Sequence, residues 1–374
     1  MPPLDTPPSA PSNTGTAASN PRGGGPLRIM FFWTDISGYM AACWRELAGR
    51  PGITLRVATY DRQTATAFDA ALMDGVDWLR LDERRRFDAV ALEREVAAFA
   101  PDVVVLAGWL NRAYRRLPTA AAAPGRRFVM GMDTPWRGTL RQSVAAWSLR
   151  GYLSRIDVVF VTGERCWQYA RRLGFGERHI RRGVYGVDTA SLGRVDDARR
   201  AAGSWPRRFL YVGQYIERKG FDLLVAAHGE YRRRVADPWP LTCCGKGALA
   251  GTVAGVEGIT DLGFLQPAQI REVMAESGAL VLPSRYDPWP LVLVESSAAG
   301  LPVVASEACG SAVELIRDGF SGFTCATGDR DALVEALERV HRSPSLADIG
   351  RCARAFAEPY GAVHWADRWI AALS

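Results

Sequence analysis

Lysine is almost missing from this chain. Of its 46 basic residues only Lys219 and Lys246 are lysines, a bias that looks like a GC-rich genome, and there are four histidines in 374 residues. Cysteine is no richer in information: the seven form an odd set without C-x-x-C spacing, and Cys243 and Cys244 are adjacent in an apolar run. Neither a disulfide framework nor a zinc site is suggested, and the thiols read as buried small side chains. No uncharged apolar stretch approaches the roughly 18 residues of a membrane-spanning helix, and the first residues have neither a charged n-region nor an apolar h-region. A cytoplasmic protein is the expectation. No recognised nucleic-acid motif accompanies the positive charge, so nucleic acid is not an expected partner.

What is present is a globular composition. The chain is 48% hydrophobic with a net charge of +6, and its length suits more than one domain. Arginines cluster at Arg84-Arg85-Arg86, Arg115-Arg116, Arg181-Arg182 and Arg232-Arg233-Arg234. Such clusters read either as solvated helix faces or as attractors of phosphates and of an anionic membrane surface, which leaves open peripheral contact at the inner face of the membrane.

Residues 1–26 are rich in Pro, Ser, Thr, Ala and Gly with almost no large apolar side chains, and they read as a disordered tail. LRIMFFW (27–33) then reads as a strand, followed by a polar turn at Ser37 and Gly38, a helical stretch, and a second strand ITLRVAT (53–59), which makes a βαβ unit. Strands at 102–108, 127–132 and 157–163 extend this into one Rossmann-like half over residues 27–203. After GSWP (203–206) the pattern restarts, with strands at 208–214, 240–245, 279–284 and 302–306 in a second wound sheet over residues 204–358. The predicted fold is α/β, two Rossmann-like domains whose parallel sheets face each other across a crevice at the carboxyl ends of their strands. The last segment, 359–374, reads as a helix with an apolar face of Trp365, Ile370 and Ala371, with Trp369 nearby, packing back toward the first domain.

PSRYDPWPLVLVESSAAGLPVVAS (283–306) carries two acids, Asp287 and Glu295, with no other charge between them. Strand, loop and helix follow one another here, with Pro290 suited to a helix start because its missing N–H would be unpaired there. Asp287 then sits in the crevice loop and Glu295 inside an apolar helix, where its charge needs a ligand or a partner. Helix capping by Asp287 and a surface arginine partner for Glu295 are the structural alternatives.

This run resembles the Glu-x7-Glu region of retaining glycosyltransferases of family four, the glycosyl transferases group 1, which have the GT-B fold. YVGQYIERKGFDLLVAA (211–227) resembles the strand, turn and helix that open that family's donor domain, and GVYGVD (183–188) and LIRDGFSGF (315–323) fall at the expected intervals. The resemblance implies transfer of a sugar from a nucleoside diphosphate sugar to a hydroxyl-bearing acceptor, glycan, lipid-linked or small molecule, without any cofactor. It implies Lys219 as the main cation at the diphosphate with Arg218 beside it, Glu295 on the nucleotide ribose, and Asp287 on sugar hydroxyls. The amides of Leu291 and Val292 in the first turn after Pro290, and the segments at Gly38, Gly213 and Gln214, complete the implied donor site. Asp133 lies where many relatives have a histidine near the transfer centre. Ser37, Trp109 and Trp136 are acceptor-side candidates; Trp33 belongs with them by position, and core packing is the alternative for each indole.

Three departures from the family pattern stand out: Gln214 for a frequent arginine, Asp287 for the longer glutamate, and Pro290 for a glycine. They leave room for a degenerate binding or scaffold protein, or for a nucleotide-sugar hydrolase. Two motifs are discounted. Asp329-Arg330-Asp331 matches a D-x-D metal pattern but precedes a helix it can cap, so no metal site is expected. Gly23-Gly24-Gly25 precedes the first strand, where a dinucleotide fingerprint cannot lie.

Overall fold

The computed structural model describes residues 25–60 and 68–373. The predicted disordered tail therefore lies, up to residue 24, outside the described residues. The first sheet holds seven strands, β1 (Leu27–Asp35), β2 (Ile53–Tyr60), β3 (Asp77–Leu81), β4 (Val103–Ala107), β5 (Arg127–Met132), β6 (Val158–Val161) and β7 (Ile180–Arg182), in the order β3-β2-β1-β4-β5-β6-β7. The second holds β8 (Phe209–Val212), β9 (Leu241–Cys244), β10 (Ile259–Asp261), β11 (Ala279–Leu282), β12 (Val303–Ser306) and β13 (Phe323–Cys325), in the order β10-β9-β8-β11-β12-β13. All the paired strands are parallel. Parallel sheets are covered by helices on both faces, and so β4, β6 and β11 are apolar at successive positions with no polar alternation. The sequence also has short strands that its pattern conceals: β7, β10 and β13 have three residues each, and β3 carries Asp77 and Arg80 at a sheet edge.

Two differences from the sequence reading concern how the domains meet. The sequence restarts at 203–206, yet the helix Thr189–Ala201 buries Leu192 and Val195 in the second domain's core. The crossover between cores thus falls near Val187, whose amide donates to the Tyr360 carbonyl. The last helix, Ala362–Leu373, does pack on the first domain, but its buried face is Trp365, Ala366, Trp369 and Leu373. Ala371 is exposed and Ile370 half-buried, because the helical period carries the seam along positions i, i+1, i+4 and i+8. Trp369 stacks on Phe160 at 3.9 Å, and Arg127 donates to the carbonyls of Ala372 and Leu373. The chain end is thereby clamped to the first sheet.

A buried ionic cluster fixes the helices behind the second sheet. Arg199, fully buried, donates to the carbonyls of Ala299 (2.8 Å) and Met274 (2.6 Å), the ends of two further helices. Its neighbour Asp196 binds Arg200 (2.9 Å) and Arg354 (3.2 Å). Burial lowers the Arg199 guanidinium to about 10, which is still far above neutrality, so it remains a cation. Among the described residues all seven cysteines are free and six are buried. No helix among them is long and apolar enough to cross a membrane.

Candidate functional site

The crevice between the sheets is built on its second-domain side by two chain turns pressed together. After β8 the chain makes a short 3-10 turn, Glu217–Lys219, that ends at Gly220 with φ 67°. A side chain at Gly220 would lie 2.0 Å from the Pro283 carbonyl oxygen, so only glycine lets this turn meet the end of β11. The Arg218 carbonyl then accepts from the amides of Arg285 (2.9 Å) and Tyr286 (3.2 Å). This seam sets Lys219 against Asp287, and the two form an ion pair with both side chains largely buried. Asp287 is held from behind as well, since its carbonyl accepts from Gly310 at 2.9 Å.

The neighbouring residues divide by exposure. Gln214 and Arg218 are exposed, and the Arg218 guanidinium donates to the Tyr286 carbonyl (3.1 Å) and reaches the Gln214 side-chain oxygen (3.5 Å). Gly213 lies beside them, its amide donating to Cys244 at 3.0 Å. The helix Leu291–Ala298 starts with Pro290 as its N-cap, one residue later than a proline-first helix would. Leu291 and Val292 form its first turn and are half-buried. Glu295 projects from the next turn. Burial pushes its carboxyl up to about 7, against the opposing pull of Arg271, and no hydrogen bond or ion pair to it occurs among the described residues.

The first-domain wall comes from the ends of β1 and β5. Asp133 follows β5 and accepts a hydrogen bond from the Tyr185 hydroxyl at 2.9 Å. Burial raises the Asp133 carboxyl above its ordinary range; the Tyr185 bond lowers it and the charge of Asp287 raises it again. That mutual influence places the two acids as electrostatic neighbours from opposite domains. Ser37 precedes the helix Gly38–Ala48, and its hydroxyl is buried. Gly38 approaches the second domain so closely that a Cβ there would lie 2.9 Å from Pro267. Next to it, Tyr39 packs against both domains and meets Tyr185 edge to face at 5.6 Å.

Contacts outside these residues hold the walls together. Trp289 lies against Gly163, where a Cβ would come within 2.5 Å of its ring. The Glu314 carboxylate accepts from the Glu164 amide (3.0 Å) at the start of the helix Glu164–Arg172, where the helix dipole favours negative charge. Arg137 lies over the Tyr286 ring at 4.2 Å, and Phe68 meets Phe264 at 5.8 Å.

The acceptor-side tryptophans are not brought to the acids by any contact. Trp109 and Trp136 instead flank Tyr169, at 6.0 and 5.5 Å, and both pack against the first core. Trp33 is buried. Asp329 caps the helix Arg330–Arg342 by accepting from the amides of Asp331 (2.9 Å) and Ala332 (3.0 Å). No group of three metal-ligating side chains occurs among the described residues.

Known proteins fit this geometry. Residues 206–343 match the family Glycosyl transferases group 1. The match lies within the second domain. The Mycobacterium tuberculosis glycogen synthase is 31% identical over 169 residues, which are 43% of this chain and 40% of that protein. The chain thus spans about 40% of the length of that relative. The Anabaena HepE structure in complex with UDP and glucose superposes with a TM-score of 0.68 at 17% identity, covering 92% of this chain and 98% of that one. Sucrose-phosphate synthase from Thermosynechococcus elongatus gives 0.71 at 18% identity, covering 92% and 97%. At such identities the likeness fixes the fold, which is GT-B.

Sequence reasoning singled out Lys219, Asp287, Glu295 and Asp133 but missed Tyr185, Tyr39, Trp289 and Glu314. Tyr185 lies inside GVYGVD, a stretch noticed only for its position. The others sit in ordinary helical or loop contexts, and only the closure of the crevice gives them partners.

Proposed function

We propose that this protein transfers a sugar from a nucleoside diphosphate sugar, with retention of anomeric configuration, to a hydroxyl-bearing acceptor. The bond from the anomeric carbon to the diphosphate oxygen breaks, a bond from the acceptor oxygen forms on the same face, and the acceptor's hydroxyl proton leaves to the departing diphosphate oxygen. The observation that carries the reading is the Lys219–Asp287 pair, a largely buried cation at the carboxyl ends of the second sheet's strands, with the unpartnered carboxyl of Glu295 on the helix that follows Asp287.

In this reading Lys219 stabilises the negative charge that builds on the departing diphosphate, and Arg218 adds a more solvated charge at the rim. The amides of Leu291 and Val292 give donors at a positive helix end. Glu295 accepts hydrogen bonds from the nucleotide ribose. Asp287 and Asp133, one from each wall, hold sugar and acceptor hydroxyls, with Tyr185 orienting Asp133. No divalent metal is assigned a role, because side chains and amides meet the diphosphate charge. The HepE complex with UDP and glucose supports the same class of donor.

The test is a thermal-shift screen of nucleoside diphosphate sugars, followed by measurement of nucleoside diphosphate release with and without acceptor alcohols. A donor present at 100 times Kd stabilises by about 2.7 kcal/mol. Release that requires both donor and acceptor supports transfer; release without any acceptor indicates hydrolysis, and binding without release a scaffold.

A further inference from the structure

The helix Leu140–Ser148 has an apolar face that meets nothing among the described residues. Leu140, Val144 and Trp147 are 87%, 55% and 81% exposed, and at i, i+4 and i+7 they share one side of the helix. The opposite side is anchored: Ala145 is buried, Thr139 caps the first turn, and Gln142 donates to the Pro135 carbonyl at 2.8 Å. The helix is therefore seated, and its outward indole is not a consequence of fraying. Leu110, 80% exposed, adds to the apolar surface of the same domain from the loop before the helix Arg112–Ala120. That helix packs on Arg150–Leu153, which in turn packs on Leu140–Ser148.

The charge along this segment of the chain is of one sign. From Val103 to Ile156 there are nine arginines and a single acid, Asp133, which is turned toward Tyr185 in the crevice. The segment's net of +8 exceeds the +6 of the whole chain, so the remainder is slightly acidic. Arg126 and Arg127 are spent on backbone carbonyls and Arg137 on Tyr286. Arg112, Arg116, Arg141, Arg150 and Arg155 are exposed, and no hydrogen bond or ion pair engages their side chains among the described residues. By contrast, two of the clusters that stand out in the sequence are largely neutralised: Arg85 pairs with Glu95, Arg86 with Glu83, Arg232 with Glu257, and Arg233 and Arg234 with Glu230.

We propose that this face, with Leu140, Val144 and Trp147 as its apolar points, together with exposed Leu110 and the five unpaired arginines of the same segment, docks the protein on an anionic phospholipid bilayer. An indole and aliphatic side chains on one side of a short helix suit the headgroup boundary, where tryptophan is enriched. Arginines held near an anionic surface supply the attraction, each worth about fivefold in partitioning. A protein partner would need surface of opposite charge arranged to match; a bilayer supplies it without register. The loop Asp133–Thr139 links the crevice to this helix, so a docked protein holds its crevice mouth beside the membrane.

Cosedimentation of the full chain with phosphatidylcholine vesicles, with and without phosphatidylglycerol, tests this. Binding is expected only to the anionic vesicles and weakens with salt. Leu140→Ser with Trp147→Ser abolishes it, and Arg141→Glu with Arg150→Glu lowers it at least about 25-fold, two arginines at about fivefold each. Since these side chains are exposed, the thermal midpoints of both variants stay at the wild-type value. Absence of binding, or equal binding by wild type and variants, overturns the proposal. So does sedimentation equilibrium showing a dimer that the Leu140 and Trp147 changes dissociate, because the face then belongs to a second copy.

Discussion

Lys219 and Asp287, which are 68 residues apart, form an ion pair inside the crevice wall. The cation is therefore already partnered before a diphosphate arrives. Lys219→Ala leaves Asp287 buried without its counter-ion and is expected to cost about 3 to 5 kcal/mol of stability. Adding Asp287→Ala should recover part of that loss, which chemical denaturation of the four members of a double-mutant cycle measures. Additive losses would mean that the pair contributes nothing specific.

Glu295 gives the protein a pH signature. Its folded pKa of about 7 lies above the ordinary value of 4.5, so the folded state binds more protons than the unfolded state between those limits. Stability should therefore fall as pH rises from about 4.5 to about 7, with a slope no steeper than about 1.4 kcal/mol per pH unit. Glu295→Gln should flatten that part of the profile. Nucleotide affinity should change in the opposite sense, rising through pH 7 in the wild type as the accepting carboxylate forms, and calorimetry at pH 6 and pH 8 would show it. Glu295→Ala should weaken the nucleotide by about 1 to 3 kcal/mol, the scale of a lost charged hydrogen bond.

Tyr185 holds Asp133 toward the ionised form by donating to it, against burial and against Asp287. Tyr185→Phe should move the acid limb of the pH–rate profile upward without abolishing turnover. Asp133→Asn should remove that limb. A Tyr185→Phe profile identical to wild type would leave Tyr185 with a packing role only.

Asp329 is assigned to its helix. Asp329→Ala should lower stability by about 0.5 to 2 kcal/mol, the usual cost of a lost N-cap, and leave turnover unchanged at temperatures where the protein is folded. A chelator should likewise leave transfer unchanged; activity lost to it and restored by magnesium or manganese would overturn the metal-free reading.

Most of the fold was legible because buried parallel strands announce themselves as continuous apolar runs, as in VVVLA and RFVMGM. Three-residue strands such as IRR and ITD carry too few positions for any period to show. The allegiance of the helix Thr189–Ala201 was hidden for another reason: its buried Asp196 and Arg199 look like surface charges until the carbonyls of Ala299 and Met274 are brought to them. In the site, Lys219, Asp287 and Glu295 stood out as charges in apolar or glycine-bearing turns. Tyr39, Trp289 and Glu314 did not, since their roles depend on two domains meeting, a relation that no local spacing encodes.

The proposed site is tested most directly by nucleoside diphosphate release by Lys219→Ala, assayed with donor and acceptor below the variant's unfolding midpoint. With Gln214 neutral, the proposed site leaves Lys219 as the main cation for the leaving group, so its removal should lower kcat by roughly 10² to 10³, the scale of one lost transition-state contact. Gln214→Arg should return part of that loss. Folded Lys219→Ala with near-normal turnover would contradict the account, because the diphosphate would then be met elsewhere.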